Sequence, residues 1–96
     1  VRGLALQFHV NSVARSDPPL AVGRVERHPH AAQVFVPLDV GRYVVTVMPA
    51  TAGGAPDPRG ALSMILPGTM GVAYRAGAWH AGISALDRDA QFAVLM

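Results

Sequence analysis

The sequence predicts an all-β fold, either a small β-barrel or a β-sandwich. Short apolar stretches rich in valine, leucine and aromatic residues recur about every ten residues, and Gly, Pro, Asp or Asn closes each one. Evenly spaced short strands with such turn signals are typical of barrels and sandwiches, and no stretch sustains helical spacing. Because 96 residues provide one hydrophobic core, we expect a single domain over residues 1–96.

The apolar stretches define the predicted strands in chain order. They cover residues 4–10, 21–26, 33–37, 43–48, 61–66, 71–74, 82–86 and 91–95. Two breaks are predicted to be surface loops, because residues 11–19 end in Asp-Pro-Pro and residues 49–60 contain Gly-Gly and Pro-Asp-Pro. We expect the second loop to be a mobile connector.

The stretch from Tyr43 to Met48 is almost continuously apolar. This pattern indicates a strand covered on both faces, by the core on one side and by another sheet or a partner on the other. The chain is 51% hydrophobic and only 15% charged, so we expect uncovered apolar surface on an isolated subunit. The sequence therefore predicts a homodimer, with this strand as the candidate contact.

The charge pattern gives no reason to expect nucleic acid as a partner. All eight basic residues are arginines scattered along the chain, and the net charge is +2. The chain has no cysteine, which excludes disulfides and thiolate sites and fits a cytoplasmic protein. Since no apolar run approaches about eighteen residues and the start lacks a signal pattern, we expect a soluble cytoplasmic protein that does not span a membrane.

Three of the four histidines lie in two segments, residues 26–38 and 71–80. Glu26 and His28 are two residues apart, so on a strand both side chains leave the same face, and Pro29 then ends the strand. Gly77 permits a tight turn that delivers His80 onto the next strand. A closed sheet would bring the two segments together around one pocket. We expect His30, by contrast, to be exposed.

The two segments resemble a known family. The pattern E-x-H-P-x-x-x-Q-x-F-x-P-L at residues 26–38, followed by G-V-x-Y-x-x-G-x-W-H at residues 71–80, resembles the ureidoglycolate lyase family, whose members are small cupins. The resemblance covers residues 24–94 and implies a small cupin-like β-barrel, or jelly roll. Glu26, His28 and Gln33 stand in the places of the first cupin motif, and Gly77 with His80 in those of the second.

The second segment also departs from the family pattern, which usually reads Y-H-R-G-x-W-H-H-P. Arg75 and Ala81 stand where the family has histidines, and Ala76 stands where it has an arginine.

The resemblance implies cleavage of ureidoglycolate to glyoxylate and urea, a carbon–nitrogen lyase reaction of allantoin and purine degradation. A base must take the hydroxyl proton and an acid must protonate the departing nitrogen, and histidine suits both steps. His80 is the candidate base, and His28 is its partner or a metal ligand. The alternative for each histidine is a structural hydrogen bond.

Five further residues, and Arg42 as a second choice for one of them, are candidates for substrate binding. Arg75, with Arg42 as second choice, could hold the substrate carboxylate, although surface exposure is the commoner fate of an arginine. Gln33 could pair with the ureido group or with buried backbone. Tyr74 and Trp79 could form the pocket wall or the core, and Tyr74 could donate to an oxyanion. Glu26 could orient an imidazole, ligate a metal or remain a solvated charge.

No metal or other cofactor is assigned from the sequence with certainty. His28, His80 and Glu26 could bind a divalent ion such as nickel, zinc or manganese weakly. The expected partner is a small carboxylate substrate. Two alternatives to the enzyme stay open: a cupin that binds a small carboxylate metabolite without chemistry, and a purely structural dimer.

Overall fold

The computed structural model describes residues 7–96, and this part of the chain is built from nine strands and one 3-10 helix at Pro58–Gly60. It contains no helix long and apolar enough to cross a membrane. The strands are β1 (Phe8–Val13), β2 (Val25–Glu26), β3 (Gln33–Pro37), β4 (Arg42–Met48), β5 (Leu62–Pro67), β6 (Val72–Tyr74), β7 (Trp79–Ala81), β8 (Ser84–Leu86) and β9 (Ala90–Leu95).

The strands form two antiparallel sheets. One sheet has the order β1-β9-β3-β6, and the other has the order β2-β7-β4-β5, with β8 also paired to β4. The sheets curl into a half-barrel, so the predicted all-β, cupin-like fold is confirmed. The order places strands distant in the sequence side by side, since β2 pairs with β7 and β3 pairs with β6.

The core joins the central strands of the two sheets. Tyr43 and Val45 of β4 meet Phe92 of β9, and these three side chains, like Val94 of β9, are fully buried. The rings of Tyr43 and Phe92 are 5.1 Å apart in an edge-to-face arrangement, a favoured geometry for aromatic pairs. The Tyr43 hydroxyl donates to the backbone carbonyl of Met70, so its polar end is satisfied inside the core. The two sheets are therefore held firmly where the inner faces meet.

Strand β4 is covered on both faces, as its continuous apolar pattern predicts. Tyr43 and Val45 face the core, while Thr46 on the opposite face is also buried and its hydroxyl lies 2.7 Å from that of Ser63. Residues 22–25 pass beside this outer face, where they line a cavity of about 360 Å³ with Thr46, Met48 and other residues. The second cover of β4 is thus at least partly the chain's own backbone, and the predicted role of β4 in a dimer stays a prediction.

Several predicted boundaries are wrong, and pairing explains each. Asn11 to Val13 belong to β1 rather than to a loop, because β9 supplies them with hydrogen-bonding partners. Of the predicted strand 21–26, only Val25 and Glu26 form strand pairs, because their partner β7 is only three residues long. Residues 79–81 were not assigned to a predicted strand, but they form β7. Residues 4–6 of the first predicted strand lie outside the described residues.

The turn after β5 requires glycine, which gives a first testable prediction. A Cβ on Gly68 would lie 1.7 Å from the Val40 carbonyl oxygen. Gly68→Ala should therefore lower the free energy of unfolding by roughly 1–3 kcal/mol, as overpacking does. Chemical denaturation measures this, with Gly53→Ala as the control, since its nearest neighbour would be the Thr51 hydroxyl at 3.9 Å. Equal stability of the two variants would contradict the packing described.

Candidate active site

Two cross-strand pairs, one from each sheet, build the candidate site. Glu26 lies directly opposite His80 in the β2–β7 pairing, and Gln33 lies directly opposite Tyr74 in the β3–β6 pairing. Residues directly opposite each other on antiparallel strands project from the same face. The Tyr74 ring stacks on the His80 ring with centroids 4.1 Å apart and planes 9° apart, so the two pairs face each other between the sheets.

His28 reaches the same place from the loop that follows β2. Its carbonyl oxygen accepts a hydrogen bond of 2.8 Å from the backbone N–H of Gly77. Gly77 has φ +82°, a conformation that favours glycine, and lies in the turn between β6 and β7. The bond ties the two histidine-bearing segments together. The ring centroids of His28 and His80 are consequently 5.7 Å apart.

The backbone fixes the protonation pattern of His80. Its Nδ1 lies 3.0 Å from the carbonyl oxygen of Ala78, which can only accept, so Nδ1 carries the hydrogen of this bond. In the neutral ring Nε2 then holds a free lone pair. Because Nε2 is buried and the ring is only 3% exposed, this lone pair is directed into the site rather than into solvent.

Glu26 stands at the mouth of the site between the two imidazoles. Its Oε1 lies 3.7 Å from His28 Nε2 and 3.9 Å from His80 Nε2. Its side chain is 49% exposed, against 30% for His28 and 3% for His80. Glu26 also lines a cavity of about 300 Å³ with Arg24 and Gly82. The carboxylate can thus meet solvent while it attracts whichever imidazole carries a positive charge.

Four buried polar atoms at the site have no hydrogen-bond partner among the described residues: His28 Nε2, His80 Nε2, Gln33 Oε1 and Tyr74 Oη. An unsatisfied buried polar atom typically costs about 1–3 kcal/mol. A fold tolerates several of them in one place when a bound molecule supplies the missing hydrogen bonds. The cluster therefore has the character of a binding site rather than of packed core.

Tyr74 can serve this site as a hydrogen-bond donor and not as a base. Burial, with a smaller contribution from Tyr43, raises the pKa of Tyr74 to about 12. The phenol is thus protonated at neutral pH.

The donor set also fits a divalent metal ion. Glu26, His28 and His80 each offer one ligand atom, and these atoms lie within 4.8 Å of one another. Two imidazole nitrogens and a carboxylate oxygen suit first-row divalent ions. The unpartnered Nε2 atoms of both histidines are the observation that favours this fit.

Trp79 does not face the imidazoles. It lies opposite Met48 and, as the neighbour of His80 on β7, projects from the other face of the sheet. Its indole N–H donates a 3.1 Å hydrogen bond to the carbonyl of Gly54, and the Arg27 guanidinium covers its ring at 4.8 Å. Trp79 thereby anchors the loop of residues 49–60, which the sequence predicted to be a mobile connector.

The structure separates the arginines that sequence reasoning proposed from one that it missed. Arg75 is exposed in the turn after Tyr74. Arg42 donates hydrogen bonds of 2.9 and 2.7 Å to Asp87, which lower the pKa of that carboxyl. Arg24 was not among the candidates, and its Nη2 lies 3.8 Å from Glu26 Oε2. Its spacing of two from Glu26 is the signal that would have found it.

The departures from the family pattern lie outside the cluster of unpartnered atoms. Ala81 follows His80 on β7, so its side chain points to the opposite face of the sheet. Arg75 and Ala76 lie in the turn between β6 and β7. The substitutions therefore leave the imidazole and carboxylate arrangement in place. His30, expected to be exposed, is exposed in the turn after Pro29.

The high pKa of Tyr74 predicts a stability change at alkaline pH. The folded pKa of about 12 lies above the value of about 10 for an unfolded tyrosine. As the pH rises through this window, the unfolded chain loses the proton first, so the free energy of unfolding should fall. Denaturation at several pH values should show a smaller fall in the free energy of unfolding for Tyr74→Phe than for wild type. Tyr43 is present in both proteins, so its own contribution to the pH dependence is common to both. An unchanged pH dependence would contradict the burial of this hydroxyl.

Comparison with known proteins identifies the family. The family model described as ureidoglycolate lyase matches residues 4–96. A ureidoglycolate lyase of Burkholderia cepacia is 39% identical over 88 residues, which are 88% of this chain and 48% of that protein. A ureidoglycolate lyase of Azotobacter vinelandii is 39% identical over 84 residues, 86% of this chain and 49% of that protein. One from Schizosaccharomyces pombe is 33% identical over 73 residues, 72% of this chain and 38% of that protein. The chain spans about half the length of the curated relatives it matches, and it belongs to the ureidoglycolate lyase family.

Proposed function

We propose that this chain carries the site of a ureidoglycolate lyase, which splits ureidoglycolate into glyoxylate and urea in allantoin and purine degradation. The family membership supports the substrate. The observation that carries the proposal is the cluster of buried, unpartnered polar atoms on His28, His80, Gln33 and Tyr74 beside the carboxylate of Glu26. Because the matched relatives are about twice as long, the activity is a proposal about the whole protein to which this site belongs.

The unpartnered atoms match the polar groups of the substrate. Ureidoglycolate carries a hydroxyl, a ureido group and a carboxylate on or beside one carbon. His80 Nε2 can accept the hydroxyl hydrogen, Gln33 Oε1 can accept a ureido N–H, and the neutral Tyr74 hydroxyl can donate to the ureido oxygen. Binding would thus satisfy acceptors and a donor that the fold leaves without partners.

The proposed reaction needs one proton removed and one supplied. His80 Nε2 takes the hydroxyl proton, the carbonyl of glyoxylate forms, and the carbon–nitrogen bond breaks. His28 Nε2 donates a proton to the departing urea nitrogen, so the protons balance over the cycle once the two imidazoles exchange one. Their ring centroids are only 5.7 Å apart, which suits such an exchange directly or through a water.

Glu26 serves both steps in this proposal. Since Oε1 lies at nearly equal distances from the two Nε2 atoms, the carboxylate stabilises the imidazolium formed on His80 and equally the one present on His28 before donation. Neither distance is short enough for a direct hydrogen bond, so both imidazoles remain free to contact substrate. Trp79 does not contact the substrate in this proposal, because it lies on the face of β7 opposite to His80 and packs behind that strand.

A divalent ion bound at the same atoms is an alternative form of the proposal, because an Nε2 atom that binds a metal cannot also accept or donate a proton. Glu26, His28 and His80 would hold it, with positions left open for substrate oxygen. Bound there, it would supply a Lewis acid that polarises the oxygen it contacts. The sequence-based expectation of weak binding is kept, because only three protein ligand atoms converge.

We also propose a homodimer and a cytoplasmic location. A row of apolar residues supports association: Val10, Ala93 and Val36 lie side by side across β1, β9 and β3, and so share the outer face of that sheet. Phe8 on the same face is 63% exposed, Val10 49% and Val36 40%. This face is a better candidate contact than β4, because residues 22–25 already cover part of β4.

The lyase proposal predicts that turnover depends on His80. In the complete protein, His80→Ala should lower the rate of urea and glyoxylate release about a hundred- to ten-thousandfold, because the general base is lost. His30→Ala is the matched control, since this imidazole is exposed outside the site and its loss should leave the rate unchanged. Circular dichroism checks that both variants fold. Wild-type protein that binds substrate without releasing urea, with or without added metal, would favour the non-catalytic alternative.

The metal proposal predicts a thermal shift. After treatment with chelator, nickel, zinc or manganese at ten times its Kd should stabilise the chain by about 1.4 kcal/mol, which raises the Tm of a small domain by several degrees. His28→Ala and His80→Ala should each abolish the shift, and His30→Ala should retain it. A shift of equal size in His80→Ala would place the ion elsewhere.

A further inference from the structure

The site as described leaves one substrate group without a binding residue. The carboxylate of ureidoglycolate is an anion that would enter beside Glu26, which is itself an anion at the mouth of the site. Like charges at close range repel, so a further cation beside Glu26 would favour binding of the substrate carboxylate. Arginine suits this task because its planar guanidinium can hold a carboxylate through two parallel hydrogen bonds.

Most described arginines are engaged elsewhere. Arg42 donates two hydrogen bonds to Asp87, Arg59 donates to Asp57, and Arg88 bonds to Asp39 and to the Asp89 carbonyl. Arg15 pairs with Asp17, and Arg27 lies over the Trp79 ring. Arg75 is exposed in the turn that follows Tyr74. Among residues 7–96, no ion pair links Arg75 to Glu26.

Arg24 is placed differently. It lies next to β2, two residues before Glu26, and its Nη2 is 3.8 Å from Glu26 Oε2. That distance is an ion pair without a hydrogen bond, and Arg24 donates no side-chain hydrogen bond to any residue within 7–96. Arg24 and Glu26 line the same cavity of about 300 Å³. The N–H donors of the guanidinium thus remain available at the rim of the site.

We propose that Arg24 binds the carboxylate of the substrate and is the residue that makes the site specific for an acid. The inference rests on the proposed function for the identity of the substrate, and it replaces Arg75 with Arg24 as the carboxylate ligand. Glu26 holds the guanidinium near the mouth when the site is empty, and the substrate carboxylate shares it on binding. Because Arg24 contacts a group that does not change during the reaction, it contributes to binding rather than to the chemical step.

Two probes test binding separately from turnover. N-Carbamoylglycine has the ureido group and carboxylate of the substrate but lacks the hydroxyl, so it cannot be cleaved, and N-carbamoylglycinamide is its uncharged counterpart. Calorimetry with wild type should show tighter binding of the acid, and this preference should weaken with added salt. Arg24→Gln should weaken binding of the acid roughly three- to tenfold and leave binding of the amide unchanged. Arg24→Lys should fall between, since it keeps the charge but not the paired donors.

Arg59→Gln is the matched control. Arg59 is 88% exposed, as Arg24 is 87% exposed, and it also pairs with a carboxylate two residues away. Its substitution should change neither probe. In steady-state kinetics of the complete protein, Arg24→Gln should raise KM for ureidoglycolate with kcat nearly unchanged.

The outcomes separate this inference from the lyase proposal. Loss of acid binding in Arg75→Gln but not in Arg24→Gln would overturn the assignment of Arg24, and so would failure of wild type to prefer the acid over the amide. Wild type that releases urea normally while Arg24→Gln matches it in KM would overturn the inference and leave the lyase proposal standing. Arg24-dependent acid binding without any turnover would support the inference while the lyase proposal fails.

Discussion

The stacking of Tyr74 on His80 is the contact on which the whole site depends. The two residues come from different sheets, and their rings lie 4.1 Å apart in nearly parallel planes. Without this contact, the Glu26–His80 pair and the Gln33–Tyr74 pair would belong to two independent strand pairings. With it, a carboxylate, an imidazole, an amide and a phenol share one space. The buried contact between Tyr43 and Phe92 supports it, because it holds the central strands of the same two sheets together.

The site combines firm backbone placement with unsatisfied side chains. The bond from Gly77 to the His28 carbonyl and the bond between His80 Nδ1 and the Ala78 carbonyl both fix imidazoles through backbone groups. The atoms left over, above all the two Nε2 atoms, cannot relax into solvent because they are buried. These unsatisfied atoms lower the stability of the fold at the place where a bound ligand would raise it again. Binding sites commonly have this cost for the fold that carries them.

Sequence patterns predicted those parts of the molecule that depend on local periodicity. β3 was predicted with its true ends, and β4 nearly so, because alternating or continuous apolar residues bounded by proline or glycine mark strands directly. The approach of His28 to His80 followed from two motifs and the assumption of sheet closure. β7 escaped detection because Trp-His-Ala has no strand pattern of its own and becomes a strand only through its partners β2 and β4. The engagement of Arg42 could not be predicted for a similar reason, since its partner Asp87 lies 45 residues away.

The three residues of β7 have separate roles on the two faces of the strand. The His80 side chain points inward. The Trp79 side chain points outward, and its hydrogen bond to the Gly54 carbonyl anchors the loop of residues 49–60. A change in the length of that loop which moves the Gly54 carbonyl would also displace the Trp79 indole bonded to it. Because His80 is the next residue, its imidazole would be displaced as well. A change in the length of this loop can therefore shift the imidazole of His80 without any substitution among the residues of the candidate site.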